Sequence, residues 1–339
     1  MECVSGDILT NDGFQKGYIS FEENKILAIE KGTCQKKPIT KGFIIPTFIN
    51  AHTHIGDSFI RKRQVELPRS VKELVGPPDG LKHRLLRNAS DNEIVNGMKE
   101  CILEMESSGV SVFCDFREGG IKGVNLLQQA LNNQSVSSLI FSRPHELTYD
   151  GEEINTLLQH SDGIGLSSIS DFDNDEIIKI AKHVKRKGKL LGLHASERIR
   201  ENIDTILDLK PDFLVHMLKA TESDLIRVKE QGIPVVICPR SNHFFGLQPR
   251  YDIMKKTHVT FLIGTDNAMI NTTSILDEIL FIRQQTQVFT IDELLYNSTY
   301  LARKALNLKE GIPPLAFPAS FQVLDQKTLA PCYMFLSGV

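Results

Sequence analysis

The chain has no surplus of either charge, no long apolar run and no Cys-x-x-Cys pair. Lys plus Arg number 39 against 42 for Asp plus Glu, a formal charge of −3. Without a basic surplus, no nucleic-acid partner and no polybasic attachment to a membrane are expected. No apolar stretch approaches the roughly 18 residues needed to cross a bilayer. Met1-Glu2-Cys3-Val4-Ser5-Gly6-Asp7 has no basic segment leading into an apolar one, so no secretory signal is expected. The six cysteines stand apart at 3, 34, 101, 114, 238 and 332, which fits free thiols in a cytoplasmic protein better than a disulfide scaffold. Internal repeats and low-complexity segments are also missing. What remains is ordinary: 41% hydrophobic and 24% charged residues over 339 positions, enough apolar side chain for a sizeable core.

Residues 1–42 read as short strands and turns, with Asn11-Asp12-Gly13 between two apolar runs and Lys25-Ile26-Leu27-Ala28-Ile29 after them. From residue 43 onward, short apolar runs alternate with helical stretches. The spacing predicts strands over Phe43–His54, Val110–Asp115, Ser138–Ser142, Gly163–Ser168, Leu190–His194, Phe213–His216, Val235–Cys238 and Val259–Thr265. It predicts helices over Asp91–Ser107, with Ile94, Val95, Met98, Ile102, Leu103 and Met105 on the apolar face, and over Asp173–Lys187. Eight strand-then-helix units imply an α/β fold, a (β/α)8 TIM-like barrel whose site sits at the C-terminal strand ends. Residues 57–90 form a long insertion after the first strand, either a lid or a disordered loop. After about residue 310 the composition returns to turns and strands, including Gly311-Ile312-Pro313-Pro314. A small β-sandwich domain is therefore expected from residues 1–42 plus 310–339, with the barrel over 43–309.

His52 and His54 close the first strand. Positions i and i+2 of a strand share a face, so both imidazoles can point to the barrel axis. Imidazoles suit a borderline metal such as zinc or iron. By itself His-x-His is a weak signal, and two surface histidines are the bland alternative, but the buried-type run before them argues against exposure. His194, His216 and Asp266 end the fifth, sixth and eighth strands. One histidine at a strand end is usually structural; four with an aspartate at the same rim are much harder to explain that way.

With these residues the chain resembles the amidohydrolase superfamily of metal-dependent barrel hydrolases. The resemblance covers Pro46-Thr47-Phe48-Ile49-Asn50-Ala51-His52-Thr53-His54, His194-x-x-Glu197, His216, Cys238-Pro239-Arg240-Ser241-Asn242 and Gly264-Thr265-Asp266-Asn267. It is similar to the branch of cytosine deaminase, guanine deaminase, S-adenosylhomocysteine deaminase and the triazine hydrolases, and to uncharacterised archaeal members of that branch. Thr47 departs from the glycine usual in the family, and the C-terminal end is short. The resemblance implies that His52, His54, His194 and Asp266 hold one divalent metal ion, zinc or iron. The fourth strand has no lysine to carbamylate, which implies a mononuclear site. Glu197, His216 and Asp266 would be catalytic. Asp266 would take a proton from metal-activated water, Glu197 would protonate a ring nitrogen, and His216 would bind the attacking oxygen.

Arg117, Arg143 and Arg240 each follow a barrel strand. They read equally as substrate contacts for an anionic group or as ion-paired rim residues, with Glu118 and Glu146 as local partners. The insertion brings further cations, Arg61, Arg63, Lys82 and Arg84, that could fold over the site. Asn242 either touches a ring substituent or holds its own loop. His83, His145, His160 and His243 read as loop histidines. Taken together, an aminohydrolase of a purine, pyrimidine or related heterocycle is expected, with a small molecule as its partner and a homodimer as the prior for assembly. Hydrolysis of a ring amide or chloro substituent on the same scaffold is the enzymatic alternative. A non-catalytic binding protein is the other, and it would be expected to have lost metal ligands.

Overall fold

The computed structural model describes residues 1–23, 25–308 and 320–335. Gly311-Ile312-Pro313-Pro314 lies outside the described residues. Eight parallel barrel strands run over Phe48–His54, Val110–Arg117, Ser137–Ser142, Gly163–Leu166, Leu190–Ala195, Phe213–His216, Val235–Ile237 and a last strand in two pieces, Phe261–Ile263 and Asp266–Asn267. Phe261–Ile263 pairs with the seventh strand and Asp266–Asn267 with the first. Between the two pieces, Gly264 N–H donates to Ile237 O and Thr265 N–H to His52 O, so the ladder passes from one neighbour to the other. The strands carry near-continuous apolar runs because both faces are covered, by the barrel interior on one side and by helices on the other.

The helices form where capping and periodicity agree. Ser90 Oγ accepts from Glu93 N–H at the start of Asp91–Ser107, and Asp173 accepts from Asp175 N–H at the start of Asn174–Arg186. In the first of these, Ile94, Val95, Met98, Ile102 and Met105 are buried, whereas Leu103 turns to solvent at 53% exposure. Position 103 falls off the 3.6-residue stripe set by its neighbours.

The first predicted strand is two strands. Lys41–Pro46 pairs with Ser5–Ile8 and with Phe321–Leu324 in a second sheet. Phe48–His54 belongs to the barrel. The switch falls at Pro46-Thr47, where Pro46 has no N–H to give. Thr47 N–H goes to Ser320 O, and Phe48 N–H goes to Gly109 O in the barrel. Both pieces are buried, so the apolar run continues across the switch. The second sheet has six strands in the order Pro331–Phe335, Phe321–Leu324, Lys41–Pro46, Glu2–Thr10, Gly13–Glu22 and Lys25–Lys31. The described ends of the chain thus form a sheet separate from the barrel, as expected, and the Phe21 and Phe335 rings meet at 5.0 Å across non-neighbouring strands. Tyr300 Oη donates to Leu9 O at 3.0 Å and Gln322 Nε2 to Gly109 O at 3.3 Å, tying this sheet to the barrel.

The insertion is built of short helices, Ile55–Arg63 (a 3-10 helix), Val71–Val75 and Leu81–Asn88. They lie over the C-terminal ends of the barrel strands and supply Val71, Val75, Gly76, Pro77 and Lys82 to the pocket wall.

Candidate metal centre and its pocket

Strand alternation places His52 and His54 on one face, as their spacing requires. One ligand atom from each of His52, His54, His194 and Asp266 lies within 4.8 Å of the others. His52 Nε2 is 3.2 Å from His194 Nε2 and 3.4 Å from Asp266 Oδ1, and His54 Nε2 is 3.6 Å from the same oxygen. Ligands held about 2.0–2.1 Å from a tetrahedral zinc stand about 3.3–3.4 Å apart, so these residues fit such an ion. Burial lowers the pKa of all three imidazoles, that of His54 to about 3. They are therefore neutral, the form that ligates.

The outward-facing nitrogens fix the tautomers. His194 Nδ1–H donates to Leu166 O at 2.8 Å, and His54 Nδ1 lies 2.8 Å from Glu118 Oε1. Each leaves Nε2 with its lone pair toward the cluster. Ser241 Oγ donates to Asp266 Oδ2 at 2.6 Å, leaving Oδ1 to the imidazoles. Glu118 heads a buried charge network. Lys82 Nζ is 2.5 Å from Glu118 Oε1, 3.5 Å from Asp57 and 3.0 Å from Asn267 Oδ1. Arg117 reaches Glu118 at 2.6 Å and Asp115 at 3.1 Å. Burial would raise the Glu118 pKa, but Lys82, His54 and Arg117 hold it well below the usual carboxylate range. Asp57, whose cation is farther away, is pushed by burial to about 7. Gly56 has no side chain because a Cβ there would stand 2.2 Å from the Arg117 guanidinium.

Glu197 and His216 complete the pocket. No helix follows the fifth strand directly; the next one starts at Ile203. The chain turns at Ser196, in the left-handed region at φ 48°. Glu201 holds that turn by accepting Ser196 N–H at 2.7 Å. Glu197 Oε1 lies 3.5 Å from His216 Nε2. Burial, reinforced by the charge of Asp266, pushes the Glu197 carboxyl to about 8. Asn242 Nδ2 donates to His216 Nδ1 at 3.2 Å, which places the proton of this neutral imidazole on Nε2. Asn242 thus touches His216 rather than lining the pocket.

The three rim arginines part company. Arg117 is bound by Asp115 and Glu118. Arg240 reaches Glu278 at 2.8 Å and Asp277 at 3.4 Å, and donates to Thr272 Oγ1 and Thr272 O. Neither lines the pocket at the histidine cluster. Arg143 does, and among the described residues its guanidinium has no ion pair; Nη2 is buried without a hydrogen-bond partner. Glu146, expected as its partner, contacts His145 instead. Of the insertion's cations, Arg61 pairs with Glu104 and Arg63 with Glu93, and Lys82 alone reaches the pocket. Sequence reasoning missed Glu118, Ser241 and Glu201 as supports. Ser241 stood within a quoted motif, Glu118 was read only as a partner for an arginine, and Glu201 had no local signal.

A model of the amidohydrolase family (Amidohydro_1) matches residues 43–328. An uncharacterized protein of Methanocaldococcus jannaschii is 36% identical over 337 residues, covering 93% of this chain and 84% of the other. A 5-methylthioadenosine/S-adenosylhomocysteine deaminase of Archaeoglobus fulgidus is 22% identical over 96% of this chain and 84% of its own. Among solved structures, Helicobacter pylori aminofutalosine deaminase in complex with methylthio-coformycin superposes with a TM-score of 0.73 at 17% identity, covering 96% of this chain and 92% of that one. At that identity the likeness concerns the fold.

Proposed function

The chain belongs to the amidohydrolase family, and from that premise we propose a metal-dependent deaminase of an amino-substituted purine, pyrimidine or related heterocycle. The observation that carries this reading is that Glu197 and His216 line one pocket with His54, His194 and Asp266 of the four-residue cluster. His52, His54, His194 and Asp266 would hold one zinc or iron ion. When bound, such an ion acidifies water to a pKa of about 7 and supplies hydroxide at neutral pH. The fourth barrel strand, Gly163–Leu166, has no lysine for a second-metal bridge, which supports one ion per chain.

The side chains divide the proton traffic. Glu197, protonated in its buried setting, donates to the ring nitrogen beside the carbon that bears the amine, and recovers a proton from the hydroxyl on that carbon as the carbonyl forms. His216 presents Nε2–H to the oxygen on that carbon as charge develops there. Asp266, which lies well below the usual carboxylate range although burial opposes it, accepts the proton lost by the attacking water and gives it to the departing ammonia. Arg143 marks the side of the pocket where an anionic part of the substrate would be neutralised, since a buried unpaired guanidinium is costly. Protein loaded with zinc or iron is expected to release ammonia from at least one ring in a panel of amino heterocycles, with about one ion per chain by metal analysis. Two ions at full occupancy sink the mononuclear site, and no ammonia from any ring sinks the deaminase.

A further inference from the structure

We propose that Cys3 and Cys34 form a redox-active dithiol in the outer sheet, which a small-molecule disulfide oxidises to a bridge that clasps the first strand. No spacing among the six cysteines marks a pair; the fold makes one. Cys3 stands at the start of the strand Glu2–Thr10 and is 1% exposed. Cys34 is half-buried, in the segment 32–40 that joins the edge strand Lys25–Lys31 to Lys41–Pro46. Hydrogen bonds lay that segment back along the first strand. Ile39 N–H donates to Cys3 O at 2.8 Å, Ser5 N–H to Thr40 O at 3.2 Å, and Lys36 Nζ to Met1 O at 3.3 Å. The Cys3 thiol itself donates to Lys36 O at 3.7 Å, just past Cys34 in the chain. Burial first, and then the neighbouring Cys34 sulfur, push the Cys3 thiol up to about 11. The other cysteines offer no alternative partner. Cys101, Cys114 and Cys238 are buried in the barrel strands and the helices around them. Cys332 lies on the edge strand Pro331–Phe335, three places from Glu2–Thr10 in the sheet order. That is roughly 14 Å at the ordinary strand spacing, beyond the reach of a disulfide.

The two thiols differ in access, and that divides the chemistry. Cys34 meets solvent and is the sulfur that an oxidant reaches; Cys3 is enclosed and acts only on what Cys34 brings to it. With oxidised glutathione, the Cys34 thiolate attacks one sulfur of the reagent. The reagent's S–S bond breaks, one glutathione leaves as its thiolate, and Cys34 carries the other. The Cys3 thiol then gives its proton to solvent, and its sulfur attacks the Cys34 sulfur. The second glutathione leaves, and the bridge is closed. The pair has lost two electrons and two protons, and the oxidised reagent has become two reduced glutathiones. The Lys36 ammonium beside the pair works against burial and favours the Cys3 thiolate in the second step. The bridge ties the strand Glu2–Thr10 to the segment 32–40 around the intervening hairpin, so it restricts the unfolded chain.

The test uses the whole protein, reduced, freed of reductant and incubated with oxidised glutathione. Remaining thiols are alkylated, and the digest is read by mass spectrometry. A peptide pair joined through Cys3 and Cys34 is expected, and dithiothreitol should abolish it. Cys34→Ser should leave Cys3 alkylated and free of glutathione. Cys3→Ser should stop the reaction with glutathione held on Cys34. Exposed Cys332 serves as the internal control, since its modification shows that the oxidant was active. The oxidised wild type should melt roughly 4 °C or more above the reduced form, and Cys34→Ser should show no such difference. Cys332 modified while Cys3 and Cys34 both stay free overturns the dithiol, in the wild type alone and whether or not Cys3→Ser folds. Cys3 taking glutathione in Cys34→Ser overturns the order of attack. A closed bridge with equal melting temperatures overturns the clasp.

Discussion

His216 and Asp266 hold backbone conformations that non-glycine residues rarely adopt, φ 77° and φ 60°. Such positions cost on the order of 1–3 kcal/mol each and persist where surrounding contacts over-determine them. Here Asn242 grips His216, and Ser241 grips Asp266. Gly264 completes the arrangement, since a Cβ there would stand 2.8 Å from His52 N and O. Two predictions belong at this scale. Glu197→Gln is expected to keep the metal and to lower kcat by roughly 100-fold or more, the scale of general acid–base catalysis; near-normal turnover would put the proton donor elsewhere. Lys82→Met removes the cation beside Glu118, which orients His54, so metal affinity in a chelator competition should fall roughly 10- to 100-fold. An unchanged affinity would show that Lys82 only fills space. The cluster residues were legible in the sequence because strand-end histidines and the terminal aspartate carry a positional signal. Lys82 and Glu118 were not legible as a pair, because they stand far apart in the chain and meet only through the docked insertion.

Elements were legible where caps and periodicity coincide, as in Asp91–Ser107, and illegible where burial is uniform. Phe43–His54 reads as one strand because nothing in an unbroken apolar run records a change of partner sheet at Thr47. The insertion, rich in charge and proline, reads as loop, yet its helices are recruited by contacts with the barrel rim. The helix Glu222–Glu230 offers a test of how an element is secured. Thr221 and Asp224 form a capping box, and Arg200 donates to both Asp224 oxygens at 2.8 Å. The Arg200 hydrogen bonds, with Thr221 adding to them against burial, lower the Asp224 pKa from 3.8 to about 2. A depressed carboxylate stabilises the fold above its unfolded pKa and loses that contribution as pH falls through the folded value. Wild-type stability should therefore drop between about pH 4 and pH 2 relative to Asp224→Asn. The contribution lost is about 1–2 kcal/mol once solvent screening at exposed Arg200 is allowed for. Parallel acid-denaturation curves for the two proteins would exclude the effect.

For the whole molecule, one apolar core runs through both sheets: Val4, Ile19, Phe21 and Phe321 of the outer sheet join Phe48, Val110 and Ile164 of the barrel in a single buried cluster. The chain-end sheet and the barrel, separable in sequence, are therefore expected to unfold in one calorimetric transition. Two resolved transitions would show independent domains. The barrel was legible as eight alternating units, whereas this shared core was not, because composition marks a boundary at the chain ends without recording what packs across it. The Lys82 bridge also has a consequence for descent. Asp57, Lys82 and Glu118 lie on three separate segments and balance one another out of contact with water. A lineage that replaces the helix Leu81–Asn88 while keeping Ile55–Arg63 loses the cation, which leaves Asp57 without one and Glu118 with Arg117 alone beside His54. Positions 57, 82 and 118 should then covary, with loss of the lysine accompanied by neutral residues at one or both acidic positions. Relatives that keep both acids while lacking any cation near position 82 would show that the three are inherited independently.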